Sequence, residues 1–156
     1  MKNSTKHLAS AVFGMTLLTI GVVFTAQAAL AEEYAVIVNA ENTYSAPKDE
    51  AYQTVRRIFL KKTDDWPGGI EGKPFARGEN AAQSAFNKVV LGMNDVAYSD
   101  YWIKMKQAEG TVAPRAVGSS AILVRQVARK PGGLSVVPAS QRLSNDVRVL
   151  FTFSHN

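Results

Sequence analysis

Residues Trp66 to Leu91, WPGGIEGKPFARGENAAQSAFNKVVL, constrain the fold more than any other stretch of the chain. Pro67 fixes φ and the pair Gly68-Gly69 permits positive φ, so the segment opens on a tight turn. Lys73 to Ala76 then reads as a short strand. The helix that follows opens at Gly78-Glu79-Asn80, with Asn80 as its cap, Ala81 to Leu91 as its body and Gly92 as its stop. A strand that delivers Arg77 to the start of a helix builds an anion site, because the first helical N–H groups lack partners and the helix dipole places partial positive charge there. The candidate ligand-binding residues are therefore Arg77 and the backbone of Asn80, Ala81 and Ala82.

The chain of 156 residues begins with the pattern of an export signal. Lys2 and Lys6 form a positive leader, Leu8 to Phe24 an apolar run, and Ala26-Gln27-Ala28 and Ala29-Leu30-Ala31 two small-residue cleavage sites. Cleavage after Ala31 is preferred, since Glu32-Glu33 makes a polar start to a mature chain; an uncleaved anchor is the alternative, the apolar run approaching the ~20 residues of a membrane span. The expected organisation is a signal peptide over 1–31 and a single domain over 32–156. Roughly 125 residues suffice for one core and fall short of two lobes of ordinary size.

Without Lys2 and Lys6, the 18 basic and 13 acidic residues of the whole chain reduce to a net charge of about +3. That mild basicity suits a small anion better than nucleic acid, which calls for a clustered basic stripe with interleaved aromatics. The chain has no cysteine, and its two histidines are His7, in the export segment, and His155, one residue from the end. Thiolate chemistry, His-based triads and most zinc sites are thereby removed, and the Ser119-Ser120 pair reads as helix capping rather than as a nucleophile. The expectation is a protein that is not an enzyme, with no metal and no cofactor.

Along the mature chain, Tyr34 to Asn39 is a β-branched run suited to a strand buried on both faces. Ser45 can cap a helix with Pro47 in its first turn and Tyr52, Val55, Ile58 and Phe59 on one face. Trp66 reads as a plug at the domain edge rather than a surface for stacking a ligand. Ala82, Ala85, Phe86, Val89 and Val90 form the apolar stripe of the second helix. A third helix, capped by Asn94 or Ser99, offers Val96, Tyr98, Tyr101, Trp102 and Met105 as its inward set and ends at Gly110. Pro114 to Gly118 is extended, Ser119 or Ser120 can cap a fourth helix through Ile122, Leu123, Val127 and Ala128, and Pro131-Gly132-Gly133 breaks it. Leu134 to Val137 is the next strand. In Val147 to Phe153, odd-numbered apolar positions alternate with Arg148, Leu150 and Thr152, predicting a final antiparallel strand, at or near an edge, with one face buried. Alternating strands and helices with short connections predict an α/β three-layer sandwich around a mixed sheet.

Taken in order, Ile58-Phe59-Leu60-Lys61-Lys62, Trp66-Pro67-x-Gly69, Arg77, Phe86 with Val90-Leu91-Gly92, Tyr101-Trp102, Gly110, Pro114, Val117-Gly118-Ser119 and Lys130-Pro131-Gly132-Gly133 form a series. It resembles the phosphate-binding proteins of bacterial phosphate ABC importers, in one of their two lobes, and the short single-lobe proteins related to them. The resemblance runs from about Tyr34 to Val137. It implies one lobe of a type II periplasmic-binding-protein-like fold, a periplasmic location, inorganic phosphate or a similar oxyanion as ligand, and an envelope or transporter protein as partner. In the family an arginine followed by a Ser-Gly-Thr turn opens the helix that corresponds to Ala81 to Leu91. Arg77 matches the arginine, whereas Gly78-Glu79-Asn80-Ala81 lacks the hydroxyls and Glu79 adds a like charge. The second lobe is missing. The alternative expectation is a non-catalytic envelope interaction module that keeps the fold and has lost its ligand.

Overall fold

The computed structural model describes residues 31–78 and 80–156. Apart from Ala31, the expected export signal and its cleavage sites lie outside the described residues. In chain order the elements are β1 (Glu32–Asn39), α1 (Lys48–Phe59), β2 (Lys73–Ala76), α2 (Ala81–Phe86), α3 (Asp95–Glu109), β3 (Arg115–Ala116), α4 (Ser120–Ala128), β4 (Gly133–Pro138) and β5 (Val147–His155). Among the described residues the strands form a five-stranded mixed sheet in the order β3-β2-β4-β1-β5. β2 runs parallel to both β3 and β4, while β1 is antiparallel to both β4 and β5. The strands expected at Tyr34–Asn39, Lys73–Ala76 and Leu134–Val137 thus share one sheet, and the last strand lies antiparallel at its edge.

β1 is buried on both faces, as its unbroken apolar run requires. Tyr34, Val36 and Val38 face a cluster with Val55, Phe59, Phe86 and Leu91 of the α1 and α2 side. Ala35 and Ile37 face Leu123, Val124 and Val127 of α4. Helices therefore cover both faces of the sheet. Asn39 ends the strand and is itself buried, its Nδ2 donating to the carbonyls of Val127 and Ala128 at 3.1 and 2.9 Å, so that β1 caps the C-terminal end of α4.

Five expectations are corrected. β5 is not a strand with one buried face. Its register against β1 pairs Val36 with Phe151 but Ile37 with Val149, so Leu150 is an extra residue, and such a bulge reverses the side to which the alternation points. Phe151 and Phe153 consequently join the α1 side, whereas Val147 joins the α4 side and Val149 is left 42% exposed. The second helix is not α-helical throughout: after Phe86 it continues as a π-helical turn, Asn87–Leu91, before Gly92 stops it at φ 70°. The wider turn lets Phe86, Asn87, Val90 and Leu91 all be buried.

Val96 is not inward. At 3.6 residues per turn, Tyr98, Tyr101, Trp102 and Met105 share one side of α3, while Val96 and Ile103 fall opposite and are 70% and 53% exposed. Ile122 of α4 is likewise 40% exposed, Val124 taking the inward position. Finally, Ser45 does not cap α1. The N-cap position is Pro47, in extended backbone with no side-chain cap, and proline there sets the cap two residues beyond the serine. Trp66 is the plug its position suggests, buried, tilted against Tyr44 at 5.3 Å and donating its indole N–H to the Gly132 carbonyl at 3.1 Å.

Candidate functional site

The last residues of the parallel strands β2, β3 and β4 are Ala76, Ala116 and Pro138, and the chain leaves two of these ends directly into helices. Crevices outside the carboxyl ends of parallel strands are where α/β sheets place ligands. Arg77 follows β2 directly. Its backbone N–H donates to Gln83 Oε1 at 2.7 Å, which locks the turn against α2. Its side chain crosses to α4 and not to α2: Nε donates to Ser120 Oγ at 3.1 Å and Nη1 to the Val117 carbonyl at 3.3 Å. Arg77 is half-buried.

Asn80 occupies the N-cap of α2 with extended backbone, and its Oδ1 accepts from Ala82 N at 2.8 Å. The cap expected from the sequence is present, and it takes up one of the N–H groups assigned to a ligand. Asn80, Ala81 and Ala82 border a cleft of about 430 Å³ whose other walls include Glu32, Glu33 and Ser140. Arg77 is not among the residues described as lining it. Two carboxylates thus stand beside the N-terminus of α2, and the arginine stands beside the N-terminus of α4.

There the structure brings in residues that sequence reasoning used only as caps. Ser119 is the N-cap residue of α4 but its hydroxyl makes no capping bond, and Ser120 opens the helix with its Oγ on Arg77. The signal available in the sequence was a Ser-Ser pair at a helix start after Val117-Gly118. What it could not disclose is that Arg77, 43 residues earlier, would fold onto it.

From the Arg77 turn a polar ladder runs along α2 to α3, buried at Gln83 and Asn87 and exposed at Asp95. Gln83 Nε2 donates to Asn87 Oδ1 at 2.9 Å, Asn87 Nδ2 to Asp95 Oδ1 at 2.9 Å, and Ser84 Oγ to Asp95 Oδ2 at 2.6 Å. The hydrogen bonds from Ser84 and Asn87 hold the Asp95 carboxyl below its ordinary value against the opposing effect of burial, and the charge of Lys88 adds a lesser push in the same downward direction. A carboxyl depressed by folding stabilises the fold above its unfolded value of about 3.9, and that contribution is lost as pH falls through the lower folded value. In acid titration of stability, wild type should therefore lose more than Asp95→Asn as pH drops below about 4; parallel curves would show that the ladder is not linked to protonation. Beside Asp95, burial pushes the Tyr98 phenol up to about 12, with the Trp102 indole acting weakly in the other direction.

Among the described residues no group of three His, Asp or Glu side chains is placed to hold a metal ion, and no helix is long and apolar enough to cross a membrane. Compared with known proteins, the chain matches no protein-family model and no curated protein.

Proposed function

We propose that this chain is an exported oxyanion-binding protein, with inorganic phosphate as its leading ligand, built on one lobe of a periplasmic-binding-protein-like fold and accessory to phosphate import. The observation that carries this reading is the Arg77 guanidinium, held beyond the end of β2 at the first turn of α4 by the Ser120 hydroxyl, with the Ser119 N-cap hydroxyl making no capping bond. Guanidinium, hydroxyl and helix N–H donors are the groups that recognise a tetrahedral oxyanion. The hydroxyls missing from the α2 turn are supplied here by α4. Glu32 and Glu33, beside Asn80 to Ala82, bias an anion toward Arg77 and away from the α2 turn.

A single lobe leaves its ligand half in water. Each net hydrogen bond to a charged group contributes only ~1.5–3 kcal/mol, and two or three of them, less the cost of immobilising the ligand, give roughly −4 kcal/mol, a dissociation constant on the order of 1 mM. Calorimetric titration of the chain with phosphate, sulfate and acetate should find weak binding of the tetrahedral anions that fades with salt. Arg77→Ala should abolish it and Ser120→Ala weaken it, with circular dichroism reporting that both remain folded. Unchanged binding in Arg77→Ala would move the site elsewhere, and micromolar affinity in a monomer would overturn the single-lobe accounting.

The alternative, an envelope interaction module without a ligand, is favoured by the exposed Val96, Ile103 and Val112, at 70%, 53% and 63%. Absence of heat with every oxyanion would transfer the assignment to that reading.

A further inference from the structure

A second cleft, of about 470 Å³, shares Asn80 with the cleft of Glu32 and Glu33; Ala76 and Gly78, on either side of Arg77, also line it, and three unlike walls make up the rest. α2 and the π-helical turn contribute Ser84 and Asn87, α3 contributes Asp95, Tyr98 and Ser99, and the segment leading through β3 contributes Ala113, Pro114 and Ala116. The first two walls are polar and the third is apolar. The ladder fixes which way the polar wall points. Gln83 and Asn87, 6% and 2% exposed, are turned so that a donor of each amide runs toward Asp95, and both carboxylate oxygens are held by protein donors at the cleft rim. Burying two amides to orient one rim carboxylate is costly for a group that water alone would solvate.

The π-helical turn begins at Asn87, the residue that grips Asp95, and π turns inside helices concentrate at functional sites. Below the rim, the Tyr98 hydroxyl is buried without a hydrogen-bond partner among the described residues. Asp95 is the only ionisable group other than Tyr98 among the described lining residues, and no Lys or Arg is among them; Lys88, which acts on Asp95, stands outside the lining.

We propose that this cleft binds an alkylammonium group, the cation seated on Asp95 and its aliphatic stem laid along Ala113, Pro114 and Ala116 against the Tyr98 ring. The ammonium supplies three donors to a wall whose oxygens accept, and the chain of methylenes covers the apolar wall. An anion is disfavoured by the same carboxylate. A metal ion lacks ligands, since no group of three suitable side chains gathers among the described residues. The proposal does not rest on the Arg77 reading, although the cleft shares Asn80 with it, and the two are opposite in charge.

The test is a titration of the folded chain with n-pentylammonium, and with n-pentanol as its uncharged counterpart, followed by backbone amide NMR shifts. Pentylammonium should move the amides of Ser84, Asn87, Asp95, Ser99 and Ala116 together, and pentanol should bind about tenfold more weakly or worse, as loss of one charge-assisted contact implies. Asp95→Asn should weaken pentylammonium by a similar factor. Because that variant can loosen the ladder, Ala116→Leu is the second: it fills the cleft from the apolar wall, leaves Asp95 intact and should abolish the shifts. Arg77→Ala, which keeps the backbone N–H bonded to Gln83, should leave them unchanged. Equal shifts with pentanol, shifts centred on Glu32 and Glu33, no shift in the cleft at all, or binding that survives both variants would overturn the assignment.

Discussion

Gly132→Ala should be among the most damaging single substitutions in this domain. A Cβ built there lies 1.8 Å from the Glu71 carbonyl oxygen and 2.8 Å from the Glu71 carbonyl carbon. Both obstacles are backbone, so no rotamer change relieves the overlap. The constraint is space: Gly132 is not among the residues with positive φ. Its own carbonyl accepts from Lys73 N at 2.9 Å and from the Trp66 indole, so a shift that makes room for the methyl also pulls on the start of β2 and on the plug. Overpacking of this kind costs ~1–3 kcal/mol and more where nothing can yield, and a loss of at least ~3 kcal/mol is expected. The measurement is a urea unfolding curve, with a lowered midpoint at unchanged slope. Gly118→Ala is the control, since a Cβ there meets nothing within 4 Å and the residue is not at positive φ; it should fall within about 0.5 kcal/mol of wild type. A Gly132→Ala midpoint equal to that control would show that the two strand starts are not in the close contact described.

Trp66→Ala is the second large effect. The side chain is 2% exposed, packs on Tyr44 and is hydrogen-bonded to Gly132, so its loss leaves a large cavity and an acceptor with one partner fewer. Truncating a buried Trp costs ~3–5 kcal/mol. Trp66→Phe separates the contributions: it keeps most of the apolar contact and drops the indole N–H, for which ~1 kcal/mol is the usual net value. Since Trp66 and Gly132 share that bond, the double substitution Trp66→Phe with Gly132→Ala should cost less than the sum of the two. A Trp66→Ala loss below ~1 kcal/mol would mean that the tryptophan seals nothing.

What could be read from the sequence was local. The end of β2, the Asn80 cap and the Gly92 and Gly110 stops follow from backbone chemistry carried by one or two neighbouring residues, and all are present. What could not be read depends on residues far apart in the chain. Arg77 was assigned to α2, which it precedes, but its side chain lies on α4, because β2 sits between β3 and β4 and its C-terminal end faces the helix that connects them. The ladder through Gln83, Asn87 and Asp95 requires the π-helical turn, which periodicity at 3.6 residues cannot register. Val96 is exposed because it lies across α3 from Tyr98, Tyr101 and Trp102, a separation that 3.6 residues per turn already writes into the sequence.

The bulge at Leu150 also bears on how the molecule keeps to itself. β5 is a nine-residue strand at the border of the sheet, whereas the opposite border, β3, has only two residues. A border strand of that length is a ready template for another polypeptide. A visiting strand that aligns with Val147 to Val149 arrives out of step at Phe151, and one that aligns with Phe151 to His155 is out of step at Val149. Either visitor gains a ladder only half the length that the strand advertises, and the growth of a continuous intermolecular sheet is stopped by a single surplus leucine.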